Sequence, residues 1–108
     1  MELVDSKESI ENLVNEKDMV LVYFGTNTCG VCVDMKPKVE ELLEKYPEIK
    51  GVQVDIDSSI KLSASYNIFT IPAILLYIDG KEVIREARHI SVEDLDNKIA
   101  RYYELFYS

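Results

Sequence analysis

Apolar positions along the chain change their period several times, and each change marks an element. Glu2 to Val4 reads as a short opening strand. Asp5, with Glu8 three residues on, marks the start of a helix whose inner face carries Ile10, Leu13 and Val14. The run "MVLVYF", Met19 to Phe24, is continuously apolar and β-prone, as expected of a strand buried on both faces of a parallel sheet. Next, Met35, Val39, Leu42, Leu43 and Tyr46 recur at helical spacing until Pro47 ends the run. Pro37 falls inside this helix and should kink it, because proline removes a backbone donor and crowds the preceding turn.

"VQVDI" predicts a third strand, and Ser58 to Tyr66 a short helix. "AILLYIDGKEVIREA" holds two β-prone runs joined by Asp79-Gly80, a strong hairpin signal that makes the two strands antiparallel. Ser91, with Asp94 three residues later, caps a last helix with a core stripe of Val92, Leu95, Ile99, Tyr102 or Tyr103, and Phe106. The predicted order is β-α-β-α-β-α-β-β-α. It specifies an α/β fold with a central mixed five-stranded sheet flanked by four helices.

A length of 108 residues predicts a single domain over residues 1–108. Twelve basic against twenty acidic residues give a net charge of −8. That balance argues against nucleic acid and anionic membrane as partners. The acidic residues are scattered over what read as solvated helix faces, so charge here serves solubility. No apolar run approaches the length of a membrane span, and the first twenty residues lack the layout of a signal peptide. The expected location is cytoplasmic, and the expected state is an acidic monomer.

The two cysteines, Cys29 and Cys32, lie in "GTNTCGVCVDMKP". A helix starting at Cys29 puts the pair one turn apart, where a Cα separation of about 5 to 6 Å permits a disulfide. Closing so short a ring constrains the unfolded chain little, which argues against a mere staple. At a helix N-terminus, unpaired backbone N–H groups and the helix dipole favour an anion and can bring a thiol pKa into the range of about 3.5 to 7.5. A metal centre would need further ligands, and the chain offers no second C-x-x-C and only His89, read as a surface residue. No metal and no bound cofactor are expected. Pro72, in "FTIPAILLY", is placed at the opening of a strand, where an Ile-Pro bond is able to be cis.

With these features together the chain resembles the thioredoxin family from about Glu2 to Phe106. The matching features are the apolar strand ending in Phe24, "CGVC", Pro37, "VDID", "TIP" and the Asp79-Gly80 hairpin. The resemblance implies the thioredoxin fold and thiol-disulfide exchange. Cys29 would be the attacking thiol, Cys32 the resolving one and Pro72 a cis-proline packed against the pair. Thr28, Gly30, Val31, Thr70, Ile71, Pro72 and Arg88 would line a substrate groove. Disulfide-containing proteins would be the substrates, with an upstream reductase such as thioredoxin reductase as electron donor.

Several positions depart from the family pattern. Thr28 and Val31 stand where the family motif W-C-G-P-C has tryptophan and proline. Tyr23 stands where thioredoxins commonly bury an aspartate, Gln53 where that aspartate has a lysine partner, and Arg88 where a glycine is usual. A tyrosine is a poor base at neutral pH, so Cys32 would lose its proton through water or to the departing thiolate. Asp34 is a weaker candidate, read as a solvated charge of the first helical turn. Two alternatives stay open beside a general reductase. One is a carrier dedicated to a single partner, and the other a binding module whose cysteines no longer turn over.

Overall fold

The computed structural model describes residues 1–107. Its elements are β1 (Glu2–Leu3), α1 (Lys7–Glu16), β2 (Met19–Gly25), α2 (Gly30–Glu44), β3 (Ile49–Asp55), α3 (Ile60–Ser65), β4 (Ala73–Ile78), β5 (Lys81–Ala87) and α4 (Val92–Tyr107). The sheet order is β1-β3-β2-β4-β5. The first three strands in that order run parallel, and β4 and β5 are antiparallel additions. This is the mixed five-stranded sheet with four helices expected from the element order, and the thioredoxin fold that the resemblance implies.

All residues of β2 are buried, because it lies in mid-sheet with helices on both faces. Alternation along the strand divides its side chains between two cores. Met19, Leu21 and Tyr23 join Ile74 and Leu76 against Met35, Val39 and Leu42 of α2 and Leu95 and Ile99 of α4. Val20, Val22 and Phe24 join Val52, Val54, Ala73 and Leu75 against Ile10 of α1 and Leu62 of α3. Tyr23 and Cys32 therefore lie on the α2 side of the sheet.

The hairpin has the backbone its sequence predicts. Asp79 and Gly80 both have positive φ, 52° and 82°, as a two-residue turn of type I′ requires, and Ile78 pairs with Lys81 across it. Ser91 caps α4 by accepting a hydrogen bond from the Asp94 N–H at 3.2 Å.

Other expectations are corrected. The cap of α1 is Ser6, not Asp5: Ser6 has an extended backbone and its Oγ accepts from the Ser9 N–H at 3.1 Å. Strand β3 begins at Ile49, earlier than "VQVDI" suggests, because its first residues pair with Met19 and Val20. Helix α3 is shorter than Ser58 to Tyr66, and β4 begins at Ala73, one residue after Pro72. Phe106 is exposed and does not extend the core stripe of α4. Its ring packs edge-on against Tyr107, whereas Tyr102 and Tyr103 are the last residues of α4 to pack on the core. Among the described residues, no helix is long and apolar enough to cross a membrane.

Candidate active site

Strand register brings the distant parts of the site to one end of the sheet. Phe24 lies opposite Ala73, Gly25 opposite Asp55, and Ala73 opposite Ala87. The segments that continue from these ends, 26–29, 56–59, 70–72 and 88–89, therefore gather where β2 and β3 finish, the edge where open α/β sheets place their ligands.

Cys29 is the N-cap of α2. Its backbone is extended (φ −101°, ψ 118°), and its carbonyl accepts from the Val33 N–H at 3.0 Å. The residue is partly exposed, and its side chain makes no capping hydrogen bond to the helix. The Cys32 N–H, then the Cys32 thiol, hold the Cys29 pKa below the usual thiol value, and the Val31 N–H adds to this against partial desolvation. Cys32 is 2% exposed. Burial, followed by its hydrogen bond with Cys29, pushes its pKa up, while the Thr26 backbone and the Tyr23 hydroxyl oppose the rise. Two chemically identical groups one turn apart are thus biased in opposite directions, Cys29 toward the thiolate and Cys32 toward the thiol.

The Ile71-Pro72 bond is cis. Pro72 is buried, and its carbonyl accepts from the Arg88 N–H at 2.9 Å, which ties the loop before β4 to the residue after β5. Thr70 and Ile71 are half-buried, whereas Thr28, Gly30, Val31 and Arg88 are exposed. Nothing lies within 4 Å of where a Gly30 side chain would begin, so the surface beside Cys29 is open. Arg88 has φ 67°, a left-handed backbone that favours glycine. Asp34 and His89 are exposed, as read from the sequence.

Tyr23 is 3% exposed, and its hydroxyl donates to the Cys32 carbonyl at 2.9 Å. Gln53 does not pair with it: its side-chain amide donates to the Met1 carbonyl at 2.9 Å and so ties down the start of the chain. A cavity of about 160 Å³ opens beside this pair, lined among others by Tyr23, Cys32, Lys36, Gln53 and Asp55.

Sequence reasoning missed a polar cluster next to Thr28. The Thr26 hydroxyl donates to Asp57 Oδ2 at 2.6 Å, and the Thr28 hydroxyl reaches the same oxygen at 3.4 Å. These contacts tie the approach to Cys29 to the loop after β3. The available signal was the second acid of "VDID", a carboxylate just beyond the end of a buried parallel strand. Phe69, next to Thr70, was also missed, and it is 75% exposed.

Comparison with known proteins identifies the family. The family profile described as Thioredoxin matches residues 2–101. A thioredoxin-like protein of Bacillus subtilis, YdfQ, is 34% identical over 98 residues, covering 91% of this chain and 88% of the relative. A thioredoxin of Chlamydia trachomatis is 36% identical over 81 residues, with 75% of this chain and 76% of that one covered. The X-ray structure of Fasciola hepatica thioredoxin superposes with a TM-score of 0.84 at 32% identity, over 94% of this chain and 98% of that one. The chain belongs to the thioredoxin family.

Proposed function

We propose that the chain is a thiol-disulfide oxidoreductase that reduces protein disulfides by exchange through Cys29 and Cys32. The observation that carries this reading is the contrast between the two sulfurs. Cys29 stands at the N-cap position of α2, is partly exposed and is biased toward the thiolate, while Cys32 is buried and biased toward the thiol. The thiolate is the nucleophile of disulfide exchange. Cys29 attacks one sulfur of a substrate disulfide, the substrate S–S bond breaks, and a mixed disulfide forms. Cys32 then attacks Cys29 Sγ, and the second substrate thiolate leaves with the electron pair.

Thr28, Gly30, Val31, Thr70, Ile71, Pro72 and Arg88 form the docking groove in this reading, with the backbone of Ile71 available to an extended substrate segment. An upstream reductase such as thioredoxin reductase returns the oxidised pair to two thiols. The reaction needs no bound cofactor, and the cytoplasm is the compartment it suits. An insulin reduction assay tests the reading: turnover by the wild-type chain and none by Cys29→Ser is the expected result. Full activity in Cys29→Ser overturns it. A chain whose Cys29 titrates as an ordinary thiol and whose pair never oxidises is instead a binding module.

One observation favours a narrower version. Arg88 keeps a left-handed backbone beside Pro72 and has no ion-pair partner among the described residues, although the chain as a whole is acidic. A cation there would select acidic substrate segments and narrow the range of partners. Mixed-disulfide capture with Cys32→Ser distinguishes the two: many captured proteins mean a general reductase, and one or two a dedicated carrier.

A further inference from the structure

A thiol sealed in the protein must lose its proton before it can act as a nucleophile, and a thiolate formed without a donor aimed at it is costly. We propose that Tyr23 is a catalytic residue for the second half of the exchange: its hydroxyl, which donates to the Cys32 carbonyl, turns to donate to Cys32 Sγ as the thiolate forms. This rests on the reading of Cys29 and Cys32 as an exchanging pair.

The first support is contact. The hydroxyl lies 2.9 Å from the Cys32 carbonyl oxygen in a buried setting, on the residue whose thiol must ionise. The second is restraint. A Cβ at Gly25 would stand 2.9 Å from Cε2 and 3.1 Å from the hydroxyl oxygen of Tyr23, so the ring fills the space above Gly25. A glycine there leaves room for the ring where it lies. The third is a route for the proton. A water needs about 10 to 15 Å³ of such space, and the cavity beside Tyr23 and Cys32 offers about 160 Å³ among several polar groups.

The charged and titratable groups that face this region are Cys29 just before α2, Lys36 on α2, Tyr23 on β2 and Asp55 on β3. Burial, then the nearby thiols, drives the Tyr23 phenol above its usual range, so it keeps its proton and acts as a donor. In the step itself, the Cys32 thiol gives its proton to water in the cavity. The resulting thiolate bonds to Cys29 Sγ, the bond from Cys29 to the substrate sulfur breaks, and that sulfur departs with the electron pair and is protonated by solvent. The substrate disulfide gains two electrons over the two steps and the cysteine pair loses two.

The test uses the full chain and the probe 5,5′-dithiobis(2-nitrobenzoate), whose two coloured thiolates are released in turn, the first by Cys29 and the second by Cys32. Tyr23→Phe keeps the ring and removes the hydroxyl. The expected result is a first phase unchanged within about twofold, and a second phase slowed about tenfold with its pH midpoint moved upward, the size of one hydrogen bond to a charged group. A second phase with wild-type rate and midpoint overturns the proposal. Should Tyr23→Phe not fold, 3,5-difluorotyrosine at position 23 keeps both ring and hydroxyl and makes a stronger donor. The midpoint of the second phase then moves downward, and an unmoved midpoint overturns the proposal. Absence of any first phase in the wild-type chain overturns the exchanging pair and this proposal together, whereas loss of the tyrosine effect alone leaves the pair standing.

Discussion

The ring of Tyr23 occupies the space that a side chain at Gly25 would enter. A Cβ built on Gly25 meets Tyr23 Cε2 at 2.9 Å, and that ring is held between β2 and α2. The two residues are one packing unit. Gly25→Ala is expected to cost about 1 to 3 kcal/mol by overpacking. Adding Tyr23→Val to Gly25→Ala should cost less than the sum of the single changes, because the smaller side chain removes the collision. Urea unfolding of the three variants measures both quantities, and strict additivity would show that the two positions do not interact.

Arg88 offers the opposite experiment. Its φ of 67° is one that a glycine adopts without steric penalty, and its side chain is exposed. Arg88→Gly should stabilise the chain, or at least hold its stability within about 1 kcal/mol, as relief of backbone strain offsets the greater freedom of the unfolded chain. Arg88→Ala keeps the strain and gains nothing. A lower melting temperature for Arg88→Gly than for Arg88→Ala would contradict this account.

Ionisation of the pair predicts a pH profile. Cys29 is held below the ordinary thiol pKa and Cys32 above it. Iodoacetamide should therefore label Cys29 with a pH midpoint below that of an ordinary thiol, and Cys32, in Cys29→Ser, with one above it. The sign for stability follows from Cys29. Between its lowered folded pKa and the ordinary value, the unfolded chain still binds the proton that the folded chain has released. Stability of the dithiol form thus rises with pH across that window, and this contribution is lost as pH falls through the folded pKa. Urea titrations of wild type and Cys29→Ser over this window provide the check.

Away from the site, Asp96 joins α4 to the end of α2. The Tyr46 hydroxyl donates to its Oδ1 at 2.5 Å, and Lys45 pairs with its Oδ2. Lys45 first, then Tyr46, hold the Asp96 carboxyl below the usual carboxylate range. Asp96→Asn should cost about 0.5 to 1 kcal/mol near neutrality, since the pair is partly solvated. Because the folded pKa is depressed, the contribution is present above the unfolded value of about 3.9 and fades as pH falls through the folded one. A difference between wild type and Asp96→Asn that persists at low pH would assign the effect to packing.

Local pattern carried most of the fold. The 3.6-residue stripes of α2 and α4, the unbroken apolar run of β2 and the Asp79-Gly80 turn depend on neighbours in sequence, and each reappears in the structure. The placement of Cys29 at a helix start was equally local, because the helical pattern begins right after it. The α1 cap was misplaced by one residue because Asp5 and Ser6 both suit that role, and only the backbone at Ser6 decides between them. Phe106 kept the helical spacing of a core residue, yet α4 continues past the last side chain that packs on the sheet.

What the amino-acid order determined, then, was the set of elements and the placing of a C-x-x-C pair at a helix start, since periodicity, capping and a helix-terminal thiol are properties of short segments. Tertiary structure alone decided which groups meet: Tyr23 beneath the Cys32 carbonyl, Thr26 against Asp57, and the Arg88 backbone locked to Pro72. Those meetings depend on strand register and on the order β1-β3-β2-β4-β5, which bring residues far apart in the chain within hydrogen-bonding distance. No local period encodes such a distance.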